Sequence, residues 1–200
     1  MRAEEAIAFA RALQEEVDRG ADARAAQIQR QGLTLACGRG CCDCCEEPVM
    51  VYRPESLAVA AWLELPEQAA VRDAFVAAYP AWKERAGDTP ARLSALTGQK
   101  GYLAAHIEGW RKRVLCAFNQ NGDCTIYPVR PITCRNAHAL DTSDRCNGSS
   151  PLPAARVTFV PLDSFITRTR PALAEAHDAA GGPEGRLEAL CDVVHEKLGR

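Results

Sequence analysis

Five cysteines fall within nine residues, at Cys37, Cys41, Cys42, Cys44 and Cys45, in the run CGRGCCDCCEEP. No hydrophobic core needs sulfur at that density, so something other than apolar packing must organise this segment. Thiolates are soft ligands that bind zinc, copper(I) or an iron–sulfur cluster far better than magnesium or calcium. A second sulfur-rich stretch, from Cys116 to Cys146, carries Cys124 and Cys134 and lies far downstream. The two segments together can enclose one metal region, with Cys134 expected within a few ångströms of the 37–45 sulfurs.

The rest of the chain does not need sulfur in order to fold. Its 200 residues are 47% hydrophobic and 25% charged, enough for one domain with a real core. A net charge of −2 gives no general attraction to nucleic acid or anionic lipid, and no basic patch is interleaved with aromatics. Neither nucleic acid nor membrane is therefore expected as a partner. The opening MRAEEAIAFARALQEEVDRG is acidic and amphipathic, lacks an apolar centre and does not read as a signal peptide. No stretch approaches the ~18 apolar residues of a membrane helix. A cytoplasmic, reducing location is expected, where disulfides are rare and clustered cysteines bind metal or do redox chemistry.

The pattern around the cysteines is helical. Residues 3–31 read as one long helix weakened at Gly20 and ended by Gly32. Gly38 and Gly40 let the cysteine run fold back on itself. Val49, Val51 and Tyr52 make at most a short extended piece. Pro54-Glu55-Ser56 and Pro66-Glu67 open helices through about Leu65 and Tyr79, with Pro80 interrupting or kinking the second. Asp88-Thr89-Pro90 starts another helical region, broken near Gly98 to Gly101 and resuming to Val114. From Cys116 to Pro153 the chain is turn-rich, Val157 to Val160 suits a short strand, and helices follow near 162–179 and 183–198. The expected fold is mainly α: a single helical domain with two cysteine-rich metal-binding loops between helices.

Spacing carries the chemistry. Cys37 and Cys41 are C-x3-C, Cys41 and Cys44 are C-x2-C, and Cys45 follows directly. A two-residue gap lets two sulfurs reach one centre while the backbone turns around it, as in zinc knuckles and ferredoxin loops. Adjacent side chains diverge, so one of each neighbouring pair ligates elsewhere, packs as a small hydrophobe or serves a second metal. The Cys37-x3-Cys41-x2-Cys44 spacing also matches the radical-enzyme motif literally, but the repeated strand–helix units of that setting are missing.

Set beside the first run, the segment CAFNQNGDCTIYPVRPITCRNAHAL resembles the CxxCxxCC (YkgJ-like) family of zinc- or iron-chelating proteins. Cys116 and Phe118 match its C-x-F element. Gly122, Cys124, Ile126 and Tyr127 match its G-x-C-x-I-Y turn, and Arg130, Pro131, Cys134 and Arg135 match its R-P-x-x-C-R ending. The resemblance covers about a third of the chain. It implies one metal-binding domain over 1–200, with metal loops at about 37–47 and 116–146. Its ligands would be Cys37, Cys41, Cys44, Cys45, Cys116, Cys124 and Cys134, with Cys146 as a late ligand outside the recognisable core. The departures are Ala117 where the family often has proline, Asp123 between glycine and cysteine, and the extra Cys42. A related cysteine arrangement occurs in flagellin lysine methylases, which keeps an enzymatic reading open.

Four thiolates leave a net negative charge around either Zn²⁺ or a [4Fe–4S]²⁺ core, so Arg130 and Arg135 beside Cys134 are candidate cofactor-supporting residues. The plain alternative is a surface ion pair with Asp123 or Asp141. His138 reads as a loop residue near the sulfurs, His106, His177 and His195 as surface or boundary residues, and Cys191 as a small buried side chain on a distant helix. Cys42 and Cys191 are expected to tolerate serine. The leading expectation is an iron–sulfur cluster, [4Fe–4S] in type, with Zn²⁺ as the alternative. The functional alternatives are a cluster-dependent oxidoreductase or methyl-transferring enzyme, and metal storage or delivery with a redox or delivery protein as partner.

Overall fold

A computed structural model describes residues 1–37, 40–96, 101–140 and 142–199, and the chain is mainly α-helical. Gly38, Gly98 and Asp141, assigned above to turns and an ion pair, lie outside the described residues. Helix α1 (Ala3–Arg30) buries one face through Ala6, Ala10, Leu13, Val17 and Ile28, a spacing of three, four and seven that follows the helical period. It packs on α2 (Arg53–Leu63), α6 (Ile132–Asn136) and α7 (Val160–Ala179). The remaining helices are α3 (Ala69–Ala86), α4 (Thr89–Leu96), α5 (Tyr102–Arg111) and α8 (Leu190–Leu198). Among the described residues, no helix is long and apolar enough to cross a membrane.

Four two-residue strands pin the loops to the helices. Strand β1 (Met50–Val51) pairs antiparallel with β4 (Glu188–Ala189), and Leu190 donates its N–H to the Val49 carbonyl at 3.0 Å. Strands β2 (Asn119–Gln120) and β3 (Asp123–Cys124) form a hairpin inside the second cysteine segment. Its turn is Asn121-Gly122, at φ 54° and 89°, the left-handed pair that a two-residue hairpin requires. Phe118, just before the hairpin, stacks on Phe75 of α3 with ring centroids 4.0 Å apart. That contact ties the sulfur-bearing hairpin to the main core, which also contains Val59, Leu63, Leu93, Ile126 and Val194.

Several elements differ from the sequence expectation, each for a physical reason. Helix α3 runs through Pro80 to Ala86 because Pro80 and Val76 lie on the exposed side, where the carbonyl freed at Val76 meets water. The strand expected at Val157 to Val160 is absent among the described residues; Val160 instead opens α7. The last helix starts at Leu190, because 188–189 are drawn into the strand beside β1. The 116–153 segment is not wholly irregular: besides the hairpin it holds a 3-10 turn (Tyr127–Val129) and α6. His177, expected near the surface, is buried; Nδ1 accepts the Arg53 N–H at 2.8 Å and Nε2 meets the Pro183 carbonyl at 3.0 Å.

Helix α1 runs unbroken through Gly20, which admits α7. A Cβ there would stand 2.7 Å from Leu162 Cδ1, closer than two carbons can sit. Gly20→Ala should therefore lower stability by about 1–3 kcal/mol through overpacking, despite the gain in helix propensity. In a Leu162→Ala background the same change should become neutral or stabilising by up to about 1 kcal/mol. Chemical denaturation of the four proteins of that cycle measures the coupling, and equal costs in both backgrounds would remove this account of Gly20.

Candidate metal centre

The first cysteine run is positioned by pairing with the end of the second segment. Leu35 and Leu140 form an antiparallel bridge, and Ala36 donates its N–H to the Ala139 carbonyl at 2.9 Å. Cys37 follows, and its sulfur accepts the Ala139 N–H at 3.2 Å. The chain then enters a 3-10 turn, Asp43–Glu46, that carries Cys44 and Cys45. Three residues per turn rotate consecutive side chains by about 120°, so Cys44 and Cys45 leave the backbone in different directions.

Cys116 is held against this turn, its N–H donating to the Cys45 carbonyl at 2.8 Å. The hairpin tip leans on the first run as well: a Cβ on Gly122 would lie 3.4 Å from the Gly40 carbonyl oxygen. The two cysteine segments therefore lie side by side. All ten cysteines are free thiols.

The sulfurs separate into two neighbourhoods. Cys37, Cys41, Cys44 and Cys146 line one small cleft, together with His138 and Arg156. Trp110 also borders it, with its indole Nε1 buried and without a hydrogen-bond partner. Cys146 is brought there by a loop resting on the end of α5, where Arg111 Nε donates to the Gly148 carbonyl at 2.8 Å. Burial raises the Cys37 thiol, opposed by the Ala139 N–H, and burial raises Cys146, with Cys37 and Cys41 adding negative charge. Arg24 of α1 and Arg156 are the cations beside Cys37. Both escaped the sequence reading, because neither adjoins a cysteine in the chain.

The second neighbourhood contains Cys45, Cys116, Cys124 and Cys134. Desolvation pushes the Cys134 thiol well above its usual range, and its negative neighbours Cys116, Cys124, Cys45 and Glu55 push it further. Burial also raises Cys124, to about 11. Cys45 moves the other way, because the neighbouring Cys44 thiol hydrogen-bonds to it, and the same contact raises Cys44. Asn119 and Arg130 also favour the Cys45 thiolate. Asn119 Nδ2 and Arg130 Nε are otherwise buried without a partner, and the Arg130 guanidinium lies 3.8 Å above the Tyr127 ring.

Arg135 does other work than its sequence neighbour Arg130. Its guanidinium pairs with Asp18 and donates to the Arg130 and Pro128 carbonyls, the latter at 2.8 Å, so it pins the turn before Cys134 to α1. His138 has both ring nitrogens on backbone, Nδ1 at 3.1 Å from the Asn136 carbonyl and Nε2 at 3.2 Å from the Val157 N–H. Cys191 is not distant from the sulfurs. Helix α8 brings its Sγ to 3.9 Å from that of Cys116, a contact between residues 75 apart that no spacing rule reveals. Cys42 caps the 3-10 turn and does not line the cleft, although Cys41 and Cys45 are its neighbours.

Glu55 is the buried strut of this region. From the first turn of α2, Oε2 accepts the Tyr52 N–H at 3.2 Å and Oε1 accepts the Ile132 N–H at 2.9 Å, fixing the start of α6 and hence Cys134. Among the described residues, no three His, Cys, Asp or Glu side chains already stand in a metal-holding arrangement: the sulfurs are gathered but not clamped onto a point. Comparison with known protein families, curated proteins and solved structures finds no match. Glu55→Ala should strand two backbone donors and cost about 2–3 kcal/mol. The check is a denaturation curve together with amide exchange, which should accelerate at Ile132; unchanged exchange there would remove Glu55 from its anchoring role.

Proposed function

We propose that this chain is a thiolate metal-binding protein that holds an iron–sulfur cluster between its two cysteine segments, as its resemblance to CxxCxxCC proteins implies. The observation that carries this reading is the gathering of eight thiols, from segments far apart in sequence, beside buried N–H donors that have no other partner. Uncharged thiols give a buried guanidinium and indole little to bind; metal-bound thiolates or sulfides give them acceptors. The donor set fits a soft metal. An iron–sulfur cluster is favoured over a single zinc because the gathered sulfurs outnumber the four that one zinc takes. When bound, such a cluster supplies one-electron transfer at a potential set by hydrogen bonds to its sulfurs.

A second reading, a cluster-dependent enzyme, is favoured by a neighbouring cavity. It is small and is bounded by Glu46, Trp82, Lys112, Val114, Cys116 and Cys191, so it adjoins the sulfurs. Metal storage or delivery to a protein partner is a third reading, and exchangeable metal would distinguish it.

Anaerobic purification should give a chain carrying iron and acid-labile sulfide, with visible absorption. Removing the metal should lower the melting temperature and open the 116–153 segment to protease, because crowded thiols lose the charge that compensates them. A chain that binds no iron or zinc after anaerobic reconstitution, with unchanged stability, would sink the reading.

A further inference from the structure

We infer that the eight sulfurs form two adjoining four-thiolate centres, one from Cys37, Cys41, Cys44 and Cys146 and the other from Cys45, Cys116, Cys124 and Cys134. This rests on the metal-binding reading above and deepens it, since that reading requires only one centre. Three independent features of the chain divide the sulfurs in the same way.

The first is placement. The small cleft lined by Cys37, Cys41, Cys44 and Cys146 is lined by none of the other four. Cys146 has Cys37 and Cys41 as its sulfur neighbours, whereas Cys134 has Cys116, Cys124 and Cys45. The second is local geometry. The boundary between the groups falls within a 3-10 turn, between Cys44 and Cys45, whose thiols touch each other. Cys41 and Cys44, three residues apart, return to one side and face the cleft. Cys45 turns toward Cys116, whose backbone it already holds at 2.8 Å.

The third is the supply of positive charge and donors, which is duplicated. Arg156 and the orphan Trp110 N–H border the first group. Arg130 and Asn119, each with an orphan N–H, adjoin the second. A four-thiolate centre carries a net charge of about −2 with either zinc or [4Fe–4S]²⁺, so each centre needs its own compensation. Cys44 also counts Cys134 among its neighbours, so the two groups abut at the 3-10 turn. Two abutting centres in so small a chain make a relay: an electron entering at one has a second site beside it.

The test uses the full-length chain, purified without oxygen and reconstituted with iron and sulfide. Iron and acid-labile sulfide per chain are measured for the wild type and for Cys146→Ser, Cys124→Ser and Cys42→Ser. The expected result is two centres in the wild type, half the content in Cys146→Ser and in Cys124→Ser, and full content in Cys42→Ser. Titration of the reduced wild-type chain with Co²⁺, followed by sulfur-to-cobalt absorption, provides a readout that does not depend on variants folding. It should break at two equivalents. One centre per wild-type chain, a cobalt break at one equivalent, or complete loss in both single variants would overturn the division while leaving the metal reading intact. No bound iron or cobalt in the wild type would overturn the metal reading, and the division with it.

Discussion

Thiols crowded together inside a small protein resist losing their protons, and the organisation around them answers that resistance. Burial raises Cys37, Cys124, Cys134 and Cys146, and each sulfur adds negative charge to its neighbours' surroundings. Deprotonating them all would require several charges to share low-dielectric space, which costs far more than folding can spare unless positive charge arrives with them. A divalent metal or cationic cluster, as proposed above, would supply that charge. Arg24, Arg156 and Arg130 are already in place to share the load.

The helices serve as a frame that delivers sulfur-bearing loops to one another. Phe75 and Phe118 fasten the hairpin, Glu55 fixes the start of α6, Arg135 ties the preceding turn to Asp18 of α1, and Arg111 holds the loop that carries Cys146. None of these contacts involves a sulfur. Each sets the position of a loop from outside, so the frame and the sulfur groups can be perturbed separately.

Much of the frame was legible because helices are local. The periodic apolar spacing of 3–31, the Pro-Glu openings of α2 and α3, and the Asn-Gly turn each depend on residues within a few positions of one another. Pro80 misled as an interruption because α3 continues through it on its exposed side, and exposure is not a local property. Val157 to Val160 misled because a short apolar run suits a strand or the first turn of a helix equally. The start of α8 was displaced by a strand pairing with residues about 140 positions away.

By itself the sequence determined that the chain is mainly helical and that its sulfurs gather in two segments too dense for packing. Cysteine spacing and helical periodicity are both short-range, and a single chain displays them directly. Tertiary structure alone decided which sulfurs keep company: that Cys146 joins Cys37, that Cys191 meets Cys116, and that Arg24 and Arg156 rather than Arg135 face the thiols. Those groupings depend on how helices and loops pack across the whole fold, between residues far apart in the chain.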